Sequence, residues 1–274
     1  IAVIKKAHGG PVLSLRRQGG VDDPLAFWSG GSDGTVIKWD PLCKTKVATF
    51  LMNSDELSSA SVRFLRQYPP VRALCPSESD GSDDTFLVGT KFGEVIEYTN
   101  GELTPIVYGH GEGEVWGLAV HPDGRHVATV GDDRTLRIWD AKDFRLVRHK
   151  TLKKPSRCVA FSQDPKGSVI AVGHNNGAFL LCSFADLKDI QKYQKRKKEI
   201  SELKFDPNTK FLAVGSHDTF VDIYSVEAAK RVGICKGASS YITHIDWAKD
   251  GKLLMVNTGA KEILFFEAPR GKRV

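Results

Sequence analysis

Two groups of residues in this chain have the types of a catalytic triad: His8, Ser29 and Asp33, and again His110, Thr129 and Asp133. In a triad the carboxylate orients the imidazole, and the imidazole takes the proton of the attacking hydroxyl. The spacing points to another use. In both groups the aspartate follows the hydroxyl by four residues and a tryptophan, Trp39 or Trp139, follows the aspartate by six. Catalysis does not call for an indole repeated with each set, whereas a hydrogen-bonded strut does. There the aspartate holds the histidine and the hydroxyl receives the indole N–H, so every buried polar group has a partner. No catalytic residue is assigned. Gly109-His110-Gly111-Glu112-Gly113 has the glycines of a phosphate loop, but it precedes a strand where such a loop opens a helix. His174, His217 and His244 have no second histidine or cysteine at i+2 or i+4, so no metal is assigned. Cys43, Cys75, Cys158, Cys182 and Cys235 are odd in number and form no CxxC, which argues against a zinc site or a disulfide framework. A reducing compartment is the default, and Cys158 and Cys182 read as small core residues. No cofactor is implied.

The residues of the second group sit in residues 110–140, where three β-prone runs (115–120, 126–130, 135–139) are separated by Pro122-Asp123-Gly124 and Gly131-Asp132-Asp133. Such punctuation marks turns between antiparallel strands. The Gly109-His110 opening and the Trp139-Asp140 close are marks of a WD40 blade. Degenerate copies occur at Val88/Phe92/Tyr98, Val172/Asn176/Cys182, Val214/Asp218/Tyr224 and Val256/Ala260/Phe266. The first positions, 29, 88, 129, 172, 214 and 256, lie 59, 41, 43, 42 and 42 residues apart. A period of about 40–45 residues with four strands per unit is that of a β-propeller. The expected fold is an all-β, WD40-type β-propeller with six blade units, an incomplete part of a seven- or eight-unit ring.

Composition is consistent with that fold. The 41% hydrophobic content can fill the layers between blades, and 26 glycines and 12 prolines supply tight turns. No run of 18 apolar residues is present, so no membrane-spanning helix is expected. Ile1 opens the chain without an initiator Met or a signal-peptide pattern, as an excised piece of a longer protein would. In order, residues 1–7 read as the outer strand of a preceding blade. Blade units follow at about 8–50, 71–108, 110–152, 156–194, 199–236 and 240–274. Residues 51–70 read as a surface insertion with a helical middle, and 77–84 as an acidic, disordered loop. The last unit shows three strands, and the chain stops where a fourth should begin.

Several strings carry a more specific likeness: KKAHGGPVLSL, VRAL with FLVGT, GHGEGEVWGLAVHP, FLAVGSHDTFVDIYSV, SSYITHIDW and KEILFFEAP. From residue 5 to about 270 the chain resembles the second propeller of the tandem-propeller module in echinoderm microtubule-associated protein-like proteins. RVGICKGASSYITHIDW and TGAKEILFFEAPRG look most like the long members, which repeat the module. The resemblance implies a non-enzymatic microtubule-associated protein whose propellers contact tubulin, located at the cytoskeleton in the cytoplasm or in the ciliary axoneme. The family's helical trimerisation segment and hydrophobic signature segment are not in this piece, so trimerisation and docking of the first propeller are not carried over.

Charge adds a candidate surface. The net charge is +6, and the loops that join one expected blade to the next carry Lys5, Lys6, Lys153, Lys154, Arg157, Lys195, Arg196, Lys197, Lys198 and Lys236. Against these stand Glu112, Glu114 and Glu199, while the opposite loops are mixed, as in Asp123 with Arg125 or Asp164 with Lys166. Taken alone, this reads as a solvated rim of lysines. With the family resemblance, an acidic partner such as tubulin, or another cytoskeletal or axonemal protein, is the better reading. Lys195 to Lys198 in particular read as four cations with no role in folding, replaceable by serine without loss of stability. Two function classes stay open: a tubulin-binding module, and a generic scaffold recruiting other proteins through its central channel. Nucleic acid is disfavoured for want of interleaved exposed aromatics, and no membrane is implied.

Overall fold

The computed structural model describes residues 4–19, 24–53, 68–77 and 84–274. These fall into two compact units, 1–112 and 113–274. The first unit holds two antiparallel four-stranded sheets. One is formed by β1 (Val12–Gly19), β2 (Pro24–Gly31), β3 (Thr35–Trp39) and β4 (Lys46–Leu51). The other is formed by β5 (Val71–Pro76), β6 (Phe86–Thr90), β7 (Val95–Thr99) and β8 (Glu102–Val107). Between them Trp28 stacks on Phe50 at 5.8 Å and Phe86 on Tyr98 at 4.7 Å. Aromatic side chains suit this layer because each buries a large apolar area at favourable ring geometry.

The second unit holds four sheets of the same design. The third is β9 (Val115–Val120), β10 (His126–Gly131), β11 (Thr135–Asp140) and β12 (Arg145–Thr151). The fourth is β13 (Ser156–Phe161), β14 (Val169–His174), β15 (Ala178–Ser183) and β16 (Asp189–Gln194). The fifth is β17 (Ile200–Phe205), β18 (Phe211–Ser216), β19 (Val221–Ser225) and β20 (Lys230–Cys235). The sixth is β21 (Ile242–Trp247), β22 (Leu253–Thr258), β23 (Ile263–Glu267) and β24 (Lys272–Arg273).

Alternation along the strands puts these sheets face to face. On β14, Ile170 and Val172 pack toward the third sheet while Ala171 joins the layer shared with the fifth. Middle strands are thus buried on both sides and read as near-continuous apolar runs, Val169-Ile170-Ala171-Val172 and Phe179-Leu180-Leu181. The last strand of the fourth sheet, β16, is largely exposed and correspondingly polar. Glycine sets the approach of neighbours: a Cβ at Gly215 would lie 2.8 Å from Ile245 Cδ1. The fold is all-β, six blades of the WD40 propeller type.

One turn recurs in all six blades. Three residues past the hydroxyl or valine that starts each repeat, a backbone N–H donates to the segment entering the same blade. The pairs are Ser32 to Pro11, Lys91 to Pro70, Asp132 to Glu114, Asn175 to Pro155, His217 to Glu199 and Gly259 to Tyr241, all at 2.9–3.1 Å. Two residues further on, each turn contains a left-handed residue: Gly34, Gly93, Arg134, Gly177, Thr219 and Lys261. Thr219 at φ 76° is the most strained of these, because a β-branched side chain crowds the following carbonyl. Thr219→Gly is expected to stabilise the second unit by about 1 kcal/mol, relief of strain exceeding the added chain entropy. Thermal melts should show a rise of a few degrees, and a fall would contradict the strain.

Three sequence expectations need correction or a limit. Residues 4–7 form a turn, with Lys6 at φ 56°, and not the outer strand expected there; residues 1–3 lie outside the described set. The sixth sheet has a fourth strand after all, the two-residue β24 pairing Arg273 with Phe266. Lys-Arg carries no β signal, so the sequence does not announce this strand. The helical middle expected within 51–70 and the loop 77–84 fall on residues 54–67 and 78–83, outside the described residues.

Candidate functional site

In the first blade the triad-like residues meet. Ser29 Oγ donates to His8 Nε2 at 2.8 Å and accepts the Trp39 indole N–H at 2.8 Å. His8 Nδ1 faces Thr35 Oγ1 at 2.8 Å and Asp33 Oδ1 at 3.3 Å, while Thr35 donates to Asp33 through both N and Oγ1. With its hydroxyl proton directed to Asp33, Thr35 accepts from His8 Nδ1. Ser29 is 4% exposed and the His8 side chain 0%, so the hydroxyl reaches no substrate cleft. Its oxygen is also engaged by the indole. Asp33 is lowered below the usual carboxylate range: burial opposes this, and hydrogen bonds from Thr35, Gly9 and His8 outweigh it.

In the third blade Trp139 Nε1 donates to Thr129 Oγ1 at 2.7 Å. Asp133 accepts from Thr135 N and Oγ1 at 2.9 and 2.8 Å and lies 3.6 Å from the Arg137 guanidinium. His110, the other expected member of this group, lies in the first unit. The degenerate blades meet the same need with other side chains. Ser156 pairs His174 at 3.0 Å in the fourth, and Thr258 donates to Glu262 at 2.8 Å in the sixth, as Thr90 does to Glu94 in the second.

The candidate contact cations divide into two kinds. Lys5, Lys6, Lys153, Lys154, Lys195, Lys197, Lys198 and Lys236 are all exposed. Arg196 is not of this kind, and its place in a solvated four-cation run is corrected. Its guanidinium donates to both oxygens of Asp222, which is 0% exposed, and lies 3.4 Å from Asp218 and 4.5 Å from the Phe220 ring. A carboxylate in the middle of an apolar strand needs a cation, and Arg196 is that cation, with Arg231 at 3.2 Å as a second. Arg157, counted with the same loops, is likewise tied to Asp132 and Glu199 and lies over Trp116. Asp222 within Val221-Asp222-Ile223 was the sequence signal for the first of these.

One cluster had no place in the sequence reading. His121, Asp123 and His126 bring their ligand-type atoms within 4.8 Å of one another at the β9–β10 turn. Asp123 accepts the backbone N–H groups of Arg125 and His126 and the His126 imidazole at 2.7 Å. His121 Nε2 lies 2.9 Å from the Lys166 carbonyl, and its Nδ1 accepts the Asp123 N–H at 3.1 Å. These bonds occupy the donor atoms in capping the turn. Cys158, Cys182 and Cys235 are buried; burial pushes the Cys182 and Cys235 thiols up to about 12 and Cys158 well above its ordinary value. None is a thiolate near neutral pH.

Comparison with known proteins bears on the whole chain. Residues 115–274 match the family model described as the echinoderm microtubule-associated protein second beta-propeller. The chain is 32% identical to echinoderm microtubule-associated protein-like 4 of Homo sapiens, across 97% of this chain and 25% of that protein. It is 32% identical to echinoderm microtubule-associated protein-like 3 of Homo sapiens, across 97% of this chain and 28% of the relative. Against echinoderm microtubule-associated protein-like 2 of Rattus norvegicus the identity is again 32%, across 98% and 38%. The chain therefore spans well under half the length of these relatives.

Proposed function

We propose, from the premise that this chain belongs to the echinoderm microtubule-associated protein family, that it is a non-enzymatic module presenting lysine-bearing loops to tubulin in microtubules. The relatives' names, microtubule-associated proteins, support the partner. One observation carries the surface. In the second unit Lys153 and Lys154 enter the fourth blade, and Lys195, Lys197 and Lys198 enter the fifth; all five are exposed and face no carboxylate within ion-pair distance among the described residues. Unpaired cations raise the local potential, which speeds and orients the approach of an acidic surface. On this reading the protein resides on microtubules of the cytoplasm and, in ciliated cells, of the axoneme.

Co-sedimentation of the full-length protein with microtubules tests the reading. Replacing these five lysines with serine should leave the melting temperature unchanged. Exposed pairs contribute about 0.2–1 kcal/mol each, so binding at low salt should weaken about ten-fold or more and its salt dependence should flatten. Equal binding by the variant from low to physiological salt would place the contact elsewhere.

A further inference from the structure

One basic loop of the second unit borders a groove, and the strand that leads into the other forms its wall. A cavity of about 410 Å³ opens between the third and fourth sheets, lined on one side by residues 150–154 and on the other by the β14–β15 turn and β16. Its floor is aliphatic: Leu152 and Leu180, both buried in the layer between the two sheets, with the half-buried Ala178 beside them. Its rim is cationic. Lys150 and Lys192 share the single carboxylate of Asp189, at 2.8 and 2.6 Å. Lys153 and Lys154 face no carboxylate among the described residues. Four ammonium groups thus stand against one carboxylate. His174 adds nothing to that count, because burial holds its imidazole below the ordinary range.

Folding does not call for this excess. Lys150 has a structural task, donating to the Leu187 carbonyl at 2.6 Å, but Lys153 and Lys154 have none, and cations gathered on a small cavity repel one another. An apolar occupant would leave them unpaired. A small anion would leave the aliphatic floor unused. We propose that the groove receives an acidic segment of tubulin, whose carboxylates pair with Lys153 and Lys154 while one aromatic or branched apolar side chain rests on the aliphatic floor at Ala178 and Leu180. The dimensions are those of a site for a few side chains. Gln194, on the groove wall, donates to the carbonyls of Asn176 and Arg196. The chain leaving it runs directly into Lys195, Lys197 and Lys198, so a segment emerging at that end meets three more cations. The choice of tubulin rests on the microtubule reading above; the acidic, apolar-anchored peptide chemistry rests on the groove alone.

Fluorescence anisotropy with the full-length protein tests the groove. The probes are a short labelled peptide of glutamates interrupted by one tyrosine, the same peptide without tyrosine, and a single-stranded oligodeoxythymidylate of matched charge. The tyrosine peptide should bind about five-fold tighter than the all-glutamate one, and K153S/K154S should weaken it about five-fold, while K5S/K6S leaves it unchanged. Equal binding of the two peptides, an indifferent K153S/K154S variant, or oligonucleotide binding as tight as the peptide's would overturn the site. Microtubule co-sedimentation run in parallel separates the two readings. A K153S/K154S variant that loses the peptide but sediments like wild type overturns tubulin as occupant and leaves the microtubule reading standing. Wild type that binds the peptide and does not sediment overturns the microtubule reading, and with it tubulin as the source.

Discussion

Arg196→Ser lowers the stability of the second unit by about 3–5 kcal/mol, the cost of removing one partner of a buried ion pair. Arg196 is 12% exposed in its side chain and holds both oxygens of Asp222, which sits at 1% in the middle of β19. Without it the carboxylate's remaining cation among the described residues is Arg231, at 3.2 Å and from a side chain 36% exposed. Asp218 loses its partner as well, and Phe220 loses the plane packed over its ring. Changing Lys195, Lys197 and Lys198 to serine instead should move stability by no more than about 0.5 kcal/mol, as surface replacements do. Thermal melts would then separate by on the order of 10 °C. Coincident melts for the single and the triple variants would show that Asp222 is satisfied without Arg196.

That contrast also shows what could be read from the chain. The repeat was legible because each blade must present a b–c turn at the same point. Ser32, Asp132 and Asn175 donate the same backbone bond although their side chains differ, and the intervals of 41–43 residues record that backbone demand. The first strut was legible for a related reason. His8, Ser29, Asp33 and Trp39 have no common purpose other than one another. Roles that depend on a partner far along the chain were hidden. Arg196 looks like its three neighbours, and what distinguishes it stands 26 residues away at Asp222. The groove was hidden too, since it combines β12, β14, β15 and β16 and no local pattern announces it. Tight turns gave partial signals: Pro122-Asp123-Gly124 marks a reversal, but the packing of His121 against Phe184 at 4.3 Å belongs to a neighbouring blade.

Asp133→Ala should cost about 3 kcal/mol, between the cost of stranding a buried neutral donor and that of breaking a buried ion pair. The Asp133 side chain is 0% exposed and accepts two hydrogen bonds from Thr135. It also faces Arg137, whose side chain is 6% exposed. Alanine removes the carboxylate that accepts from Thr135 and balances the charge of Arg137 where water has little access; Thr135 Oγ1 stays 3.1 Å from Arg137 Nε but carries no charge. Asp218 occupies the equivalent turn position in the fifth blade, yet Asp218→Ala should cost about 1 kcal/mol or less. Its side chain is 23% exposed, its guanidinium partner among the described residues is Arg196 at 3.4 Å, and Arg196 retains Asp222 when Asp218 is gone. One Asp218 oxygen is buried without a hydrogen-bond partner, and removing an unsatisfied acceptor recovers part of the loss. Chemical denaturation of the two single variants measures the difference at constant m-value. Equal losses would mean that the third-blade aspartate does not bear the charge of Arg137.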